Sequence, residues 1–198
     1  INREFVIDPQ GANDKTDSYI LVTSSHDGSG SITALVTPVR VVCQNTLNLA
    51  LNGASQKFSA RHTAGTNSRV EDARRVLDLA NNYFDKFQDV ARELYQTPMS
   101  LDQFDKVFEV IYPKPADDNK AALTKWTDKF DTTRGLYLSA PTNANITGTK
   151  WGALNALTEY IDYYRAENPS PAMIAAASGM ESMIASKKAQ ILQTVIAA

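Results

Sequence analysis

Residues 18 to 37 are SYILVTSSHDGSGSITALVT, and this stretch decides how the first part of the chain is interpreted. Residues 18–24 and 31–37 are rich in β-branched and aromatic side chains and have the length of strands. Between them lies the sequence DGSG at 27–30, whose glycines permit the positive φ angles of a tight turn. The pattern predicts a β-hairpin.

The residues around this hairpin predict the rest of a small sheet. Residues 3–7 and 56–63 are candidate strands, and Pro38 is expected to end the second hairpin strand or to place it at a sheet edge. Residues 39–51 bring apolar side chains to near-helical spacing and are followed by an Asn-Gly stop, so they predict a short helix packed on the hairpin. An extension of the strand through residues 39–42 is the alternative.

Helical patterns dominate from residue 67 onward. Between residues 70 and 94, apolar side chains recur at alternating steps of three and four, which is the a/d seam of a helix that needs a partner helix in this chain or in another. Ser100 and Gln103 form a capping-box pattern, and Thr149 is a candidate cap. Further helices are expected over about 117–138, from 149, and from 170 to near the end.

These patterns predict an α+β fold. We expect a small antiparallel sheet with a β-hairpin and a packed helix, followed by a largely helical C-terminal half. Residues 1–66 would form the β-rich subdomain with its short helix, and residues 67–198 a helical region packed on it, so that the two make one domain.

Composition limits the possible functions. The chain has 198 residues and a net charge of −2, so nucleic-acid binding requires a local basic patch rather than an overall basic excess. Its single cysteine, Cys43, cannot form an intrachain disulfide, which suits a reducing compartment such as the cytoplasm. One cysteine and two histidines are too few for a structural zinc site, and no apolar run reaches the roughly 18 residues of a membrane span. No metal, cofactor or membrane partner is expected.

Two long motifs resemble a known family. Residues 25–50, SHDGSGSITALVTPVRVVCQNTLNLA, and residues 148–162, GTKWGALNALTEYID, are similar to the phage/plasmid-like proteins, the family of domain of unknown function 932. Arg61-His62 matches a later element of the same family. The resemblance implies a setting in mobile genetic elements but carries no agreed chemistry.

A nucleic-acid-binding role is the leading functional hypothesis. At residues 40–46, the guanidinium group of Arg40 and the free N–H groups at the start of the expected helix could both bind a phosphate. Residues 57–75 contain the clearest concentration of positive charge in the sequence. Folding of these segments onto one face would create a site for single-stranded DNA, used for binding or annealing by a homo-oligomer. The candidate contact residues are Arg40, Asn45, Lys57, Arg61, His62 and Arg69.

Structural interpretations of these residues stand beside the functional one. Asn45 is equally well explained as a helix cap, and the basic residues as a solvated surface. The aromatic residues Tyr160, Tyr163 and Tyr164 are candidates for stacking on bases, whereas Trp151 fits core packing better.

Two other classes of function remain as alternatives. An enzyme would use Cys43 as a nucleophile with His26 or His62 as its base, although the apolar neighbours of Cys43 favour a buried, structural thiol. The pair His26-Asp27 is more simply a turn than part of a metal site. A non-catalytic protein would assemble through the a/d seam. An enzyme is therefore the less favoured of these interpretations.

Overall fold

The computed structural model describes residues 3–6, 14–23, 32–40, 45–46, 57–60, 66–165 and 182–198. Side chains are described throughout 81–165 and 186–198 and at a few earlier positions. The strands in this part of the chain are β1 (Arg3–Val6), β2 (Lys15–Thr23), β3 (Ile32–Arg40), β4 (Asn45–Thr46) and β5 (Lys57–Ala60).

These strands pair antiparallel in the order β1-β2-β3-β4, and β5 also pairs with β3. The β2–β3 ladder extends from Thr16 opposite Arg40 to Thr23 opposite Thr33. On its other edge β3 pairs with β5 near its start and with β4 at its end. The strand predicted within residues 56–63 is thus confirmed as β5, while the predicted Gly-rich turn at 27–30 lies outside the described residues.

Pro38 does not end β3, because the strand continues through it to Arg40. Pro38 lies opposite Ser18 of β2. On the other edge of β3, the β5 pairing stops at Leu35 and the β4 pairing starts at Val39. The ladder is therefore interrupted beside Pro38, at a place where a residue that cannot donate a ladder hydrogen bond is tolerated.

The predicted fold class is wrong in two respects. The short helix expected at residues 39–51 is not formed where that segment is described, because Val39 and Arg40 belong to β3 and pair with Thr46 and Asn45 of β4. That pairing uses backbone groups that a helix would need for its own hydrogen bonds. In addition, helices contain most of the described residues and supply the described hydrophobic core, so the fold is mainly helical.

The five described helices are α1 (Thr66–Gln96), α2 (Leu101–Ile111), α3 (Lys120–Ser139), α4 (Lys150–Glu159) and α5 (Ser182–Ala197). A 3₁₀ turn, Pro141–Asn143, precedes α4, and a π-helical turn, Tyr160–Tyr164, continues it. Both hydrogen bonds of the predicted capping box at Ser100 and Gln103 are present, at 3.3 and 2.8 Å. Thr149 caps α4 as expected.

Helix α4 lies at the centre of the core. All of its residues from Trp151 to Glu159 are buried, and α1, α3 and α5 pack around it. The second half of the predicted a/d seam is buried within the same chain, so this part of it is not available to a second copy. The seam residues concerned are Phe84, Phe87, Ala91 and Leu94.

Two glycines set the start of α4. Gly148 has a φ of 80°, in the left-handed region that favours glycine, and its carbonyl oxygen accepts a hydrogen bond from the Met99 amide at 2.9 Å. At Gly152 an added Cβ would collide with the carbonyl oxygen of Ile146. The loop before α4 therefore packs directly against the first turn of the helix, which accounts for two of the glycines in the motif at residues 148–162.

Candidate functional site

Tyr112 lies at the end of α2, where two hydrogen bonds hold its backbone in place. Its amide donates to the Phe108 carbonyl oxygen at 2.7 Å, and the indole Nε1 of Trp126 in α3 donates to the Tyr112 carbonyl oxygen, also at 2.7 Å. The rings of Phe108, Trp126 and Phe130 contact one another, with centroids 5.2 to 5.7 Å apart. Tyr112 is thus fixed between α2 and α3.

Two lysines from different helices lie over the Tyr112 ring. The Nζ atom of Lys129 in α3 is 4.4 Å from the ring centroid, and that of Lys187 in α5 is 5.1 Å from it. Both distances are within the range of a cation–π interaction. Lys187 also donates to the Ile111 carbonyl oxygen at 3.0 Å and to Gln190 Oε1 at 2.9 Å. Among the described residues, no carboxylate forms an ion pair with either lysine.

The π-helical turn adds two more tyrosines to this surface. The Tyr160 ring meets Tyr112 edge to face with centroids 6.5 Å apart, and it lies nearly parallel to Tyr164, also at 6.5 Å. The Tyr164 side chain is 52% exposed. We call Tyr112, Lys129, Tyr160, Tyr164 and Lys187 the tyrosine–lysine patch.

The patch combines tyrosine phenols that are harder to ionise than usual with two lysine ammonium groups that repel each other. Burial raises the pKa of Tyr112 to about 12, with a smaller upward contribution from Tyr160 and an opposing one from Arg165. Burial also raises the pKa of Tyr160. The pKa of Lys129 is lowered, first by burial and then by repulsion from Lys187. An anion placed beside the two lysines would relieve this repulsion.

A buried ion pair holds the elements that form the patch. Asp162 lies in the π-helical turn between Tyr160 and Tyr164, and Lys188 follows Lys187 in α5. The Lys188 Nζ and Asp162 Oδ1 atoms are 2.7 Å apart, and both side chains are almost fully buried. Since Asp162 lies two residues from Tyr160 and from Tyr164, and Lys188 adjoins Lys187, the pair joins the π-helical turn to α5 near the patch.

The motif at residues 148–162 contributes mainly buried polar contacts. The indole Nε1 of Trp151 donates to Asp14 Oδ2 at 2.7 Å, which connects α4 to the residue preceding β2. The carboxylate of Glu159 accepts a hydrogen bond from Thr142 at 3.0 Å. The core position expected for Trp151 is confirmed, and the motif is largely explained by the packing of α4.

The structure describes the backbone of four of the six residues that the sequence predicts for nucleic-acid binding, and it brings two of them together. Arg40 and Asn45 are direct backbone partners at the end of β3, and Lys57 pairs with Leu35, five residues earlier in that strand. Five residues of strand span about 17 Å. Arg69 belongs to the start of α1, and Arg61 and His62 lie outside the described residues. Their gathering on one face stays a prediction.

The alternative enzymatic site also falls outside the described part of the chain, which includes none of Cys43, His26, Asp27 and His62. Where side chains are described, no three His, Cys, Asp or Glu residues are grouped so that they would hold a metal ion. None of the described helices has the length and apolar character needed to cross a membrane.

The sequence predicts Tyr160 and Tyr164 as stacking candidates but does not predict that the other three patch residues join them. Tyr112, Lys129 and Lys187 are distant in sequence and belong to three different helical segments, so no local pattern groups them. A weak indication was present at Tyr112-Pro113, where an aromatic residue follows the amphipathic stretch of α2, and at Lys187-Lys188, which interrupts an apolar tail.

Comparison with known proteins gives a family without an assigned activity. The family model described as Domain of unknown function (DUF932) matches residues 3–190, nearly the whole chain. No curated protein and no solved structure matches the chain significantly. The family description names no substrate, partner or reaction, so any function must be argued from the geometry of this chain.

Proposed function

Because the chain belongs to the DUF932 family, whose description states no function, we propose from its geometry that it binds single-stranded nucleic acid through the tyrosine–lysine patch. The observation that carries the proposal is the convergence of two lysines without a described carboxylate partner on one tyrosine ring, beside a further pair of nearly parallel tyrosines. Proteins that bind single strands combine positive charge for the phosphates with aromatic rings for the bases.

The aromatic part of the patch favours a single strand over a duplex. A base can stack on a tyrosine only when its face is accessible, and in a duplex the faces are covered by neighbouring base pairs. Tyr164 is the most exposed ring of the patch, so we assign it the stacking contact. Such a contact is insensitive to sequence, because every base presents a flat π-face.

The cationic part of the patch provides the attraction for phosphate. The overall charge of −2 does not draw nucleic acid to the whole surface, so binding depends on local charge. Neither patch lysine is neutralised by a described carboxylate, and both ammonium groups therefore remain available to an anion. Few phosphates are contacted at such a small site, so the salt dependence of affinity is expected to be shallow.

A role in the DNA metabolism of mobile genetic elements, with the chain acting as a homo-oligomer in the cytoplasm of a bacterial host, is part of this proposal. It is supported by the similarity of residues 25–50 and 148–162 to phage/plasmid-like proteins. A continuous strand would connect the patches of several copies, and neighbouring copies on one strand would bind cooperatively.

The experiment is a fluorescence anisotropy titration of labelled oligothymidylate and of a duplex of the same length at low salt. We expect the wild-type protein to bind the single strand more tightly. Tyr164→Ala should weaken binding by about 1 to 3 kcal/mol, the usual contribution of one stacked base. The matched control is Tyr19→Ala, which removes a tyrosine of similar exposure (48%) from β2 and should leave affinity unchanged.

A second pair of variants tests the charges. Lys129→Gln should weaken binding, whereas Lys106→Gln, which removes an exposed lysine from α2 outside the patch, should not. Absence of binding by the wild-type protein at low salt, where attraction to phosphate is strongest, would refute the proposal. Equal losses in the Lys129 and Lys106 variants would place binding elsewhere.

A further inference from the structure

We propose that the tyrosine–lysine patch recognises a terminal phosphate, that is, a phosphate monoester carried by a nucleoside at the end of a strand, in preference to an internal phosphodiester. The inference rests on the proposed nucleic-acid binding and specifies which phosphate of the strand the site selects. It follows from how the charges of the patch are arranged.

First, the positions of the two lysine ammonium groups favour a single phosphate group over an extended backbone. Lys129 and Lys187 come from different helices, yet both Nζ atoms lie within 5.1 Å of the centre of the same ring. A groove that binds many phosphates of a nucleic-acid backbone has its cations distributed along the path of the strand. Here both cations contact the same ring and Lys187 repels Lys129, so one highly charged group bound beside that ring would interact with both.

The second step is the balance of charge. No described carboxylate pairs with either lysine of the patch. The one acidic residue of the π-helical turn, Asp162, is paired with Lys188 in the interior. A phosphodiester brings one negative charge to this surface, whereas a phosphate monoester brings close to two at neutral pH. The monoester therefore compensates the cations more completely.

The third step is hydrogen bonding. The Lys129 ammonium forms no hydrogen bond with a described residue, and Lys187 uses two of its three N–H donors on Ile111 and Gln190. The Tyr112 phenol is protonated at neutral pH, as any tyrosine is, and burial raises its pKa further, to about 12. A monoester has three unsubstituted oxygens to accept such donors, and an internal diester has two.

The rings next to Tyr112 provide a surface for the base that is attached to the bound phosphate. Tyr160 touches Tyr112 and leads to the exposed Tyr164, so a phosphate beside Tyr112 would leave the attached base within reach of the tyrosine pair. A terminal base has one face without a neighbour and can stack there without disturbing the rest of the strand.

The experiment compares three oligonucleotides of one sequence, with a 5′-phosphate, a 3′-phosphate or hydroxyl groups at both ends, in the anisotropy titration. We expect one phosphorylated form to bind about tenfold more tightly than the hydroxyl form, as one added charge-assisted contact would provide. A nucleoside monophosphate should compete for the site, and inorganic phosphate should compete more weakly because it lacks the base.

The pH dependence gives an independent check. The second ionisation of a phosphate monoester has a pKa of about 6, so the advantage of the phosphorylated strand should decrease as the pH falls through that value. The affinity of the hydroxyl strand should change less over this range. Lys129→Gln should remove the advantage, and the control Lys106→Gln should keep it.

The outcomes separate the two proposals. Binding of the hydroxyl strand by the patch, with all three oligonucleotides equal within about twofold, would overturn the terminal-phosphate inference and leave the proposed function standing. Failure of all three oligonucleotides to bind would reject both proposals. A preference that persists unchanged below pH 6 or in Lys129→Gln would also overturn the inference.

Discussion

The buried interior around α4 and the tyrosine–lysine patch differ in how their charged groups are paired. Inside, Asp162 is paired with Lys188, and the Trp151 indole is paired with Asp14. At the surface, Lys129 and Lys187 share a tyrosine ring and have no described carboxylate partner. A buried charge must find its partner within the protein, whereas an exposed cation can remain unpaired because water solvates it. The interior polar contacts are therefore explained by folding, whereas the two patch lysines are where the proposed binding can be tested.

The buried ion pair offers the strongest test of this contrast. Asp162→Ala leaves the Lys188 ammonium in the interior without its carboxylate, and we expect it to lower the free energy of unfolding by about 3 to 5 kcal/mol. The exposed pair Lys114–Asp117 is the control, since its side chains are 53% and 86% exposed at a distance of 3.5 Å. Lys114→Ala should change stability by less than about 0.5 kcal/mol in the same urea melt.

Replacing both buried partners sharpens the interpretation. The double variant Asp162→Leu/Lys188→Met removes the two charges together and should recover most of the stability lost in Asp162→Ala. A double variant as unstable as the single one would mean that the pair supplies more than mutual neutralisation. Asp162→Ala with wild-type stability would contradict the buried position of the pair.

The two tryptophans allow a smaller, matched comparison. Trp151→Phe removes the buried hydrogen bond to Asp14 and should cost about 1 to 3 kcal/mol, since the carboxylate loses a donor that water cannot replace. Trp126→Phe removes the hydrogen bond to the Tyr112 carbonyl oxygen at a partly buried position, so its cost should be smaller. Denaturant melts of the two variants measure the difference, and the reverse order would show that Asp14 is more accessible than described.

Tyr112 predicts a dependence of stability on pH. Its folded-state pKa of about 12 lies above the unfolded value of 10.0, so its contribution is complete below pH 10 and is lost as the pH rises to about 12. Wild-type protein should lose at most roughly 2 kcal/mol more than Tyr112→Phe over that interval. Parallel loss of stability in both proteins would indicate that the Tyr112 phenol is freely solvated.

Local sequence patterns predict where most of the described helices lie, but they do not predict the contacts between segments that are distant in sequence. The capping box at Ser100 and the Thr149 cap are each set by residues within one turn of each other, so the sequence displays them directly. The helix expected at residues 39–51 failed because the end of β3 provides backbone partners for Asn45 and Thr46. Whether residues 39–51 form a helix or pair as strands depends on contacts between β3 and β4, and the spacing of apolar residues gives no information about those contacts.

The candidate site illustrates the same limit. A run of basic residues in the sequence predicts Arg61 and Arg69 as contacts for nucleic acid. Tyr112, Lys129 and Lys187, in contrast, are distant in sequence and come together only because α2, α3 and α5 pack together. Tyr160 and Tyr164 were identifiable because their spacing of four places them close together on one helical segment. The sequence therefore predicts two of the three patch tyrosines but not the two lysines that give the patch its positive charge.

The salt dependence of single-strand affinity tests the central claim most directly. For each protein, the slope of log affinity against log salt concentration counts the phosphates in contact, at about −0.7 per phosphate. We predict that Lys129→Gln/Lys187→Gln flattens the slope by roughly 0.7 to 1.4, and that Lys57→Gln/Arg61→Gln leaves it unchanged. An unchanged slope in the patch variant with a flattened slope in the Lys57/Arg61 variant would contradict the account and place the phosphates on the basic stretch predicted from the sequence.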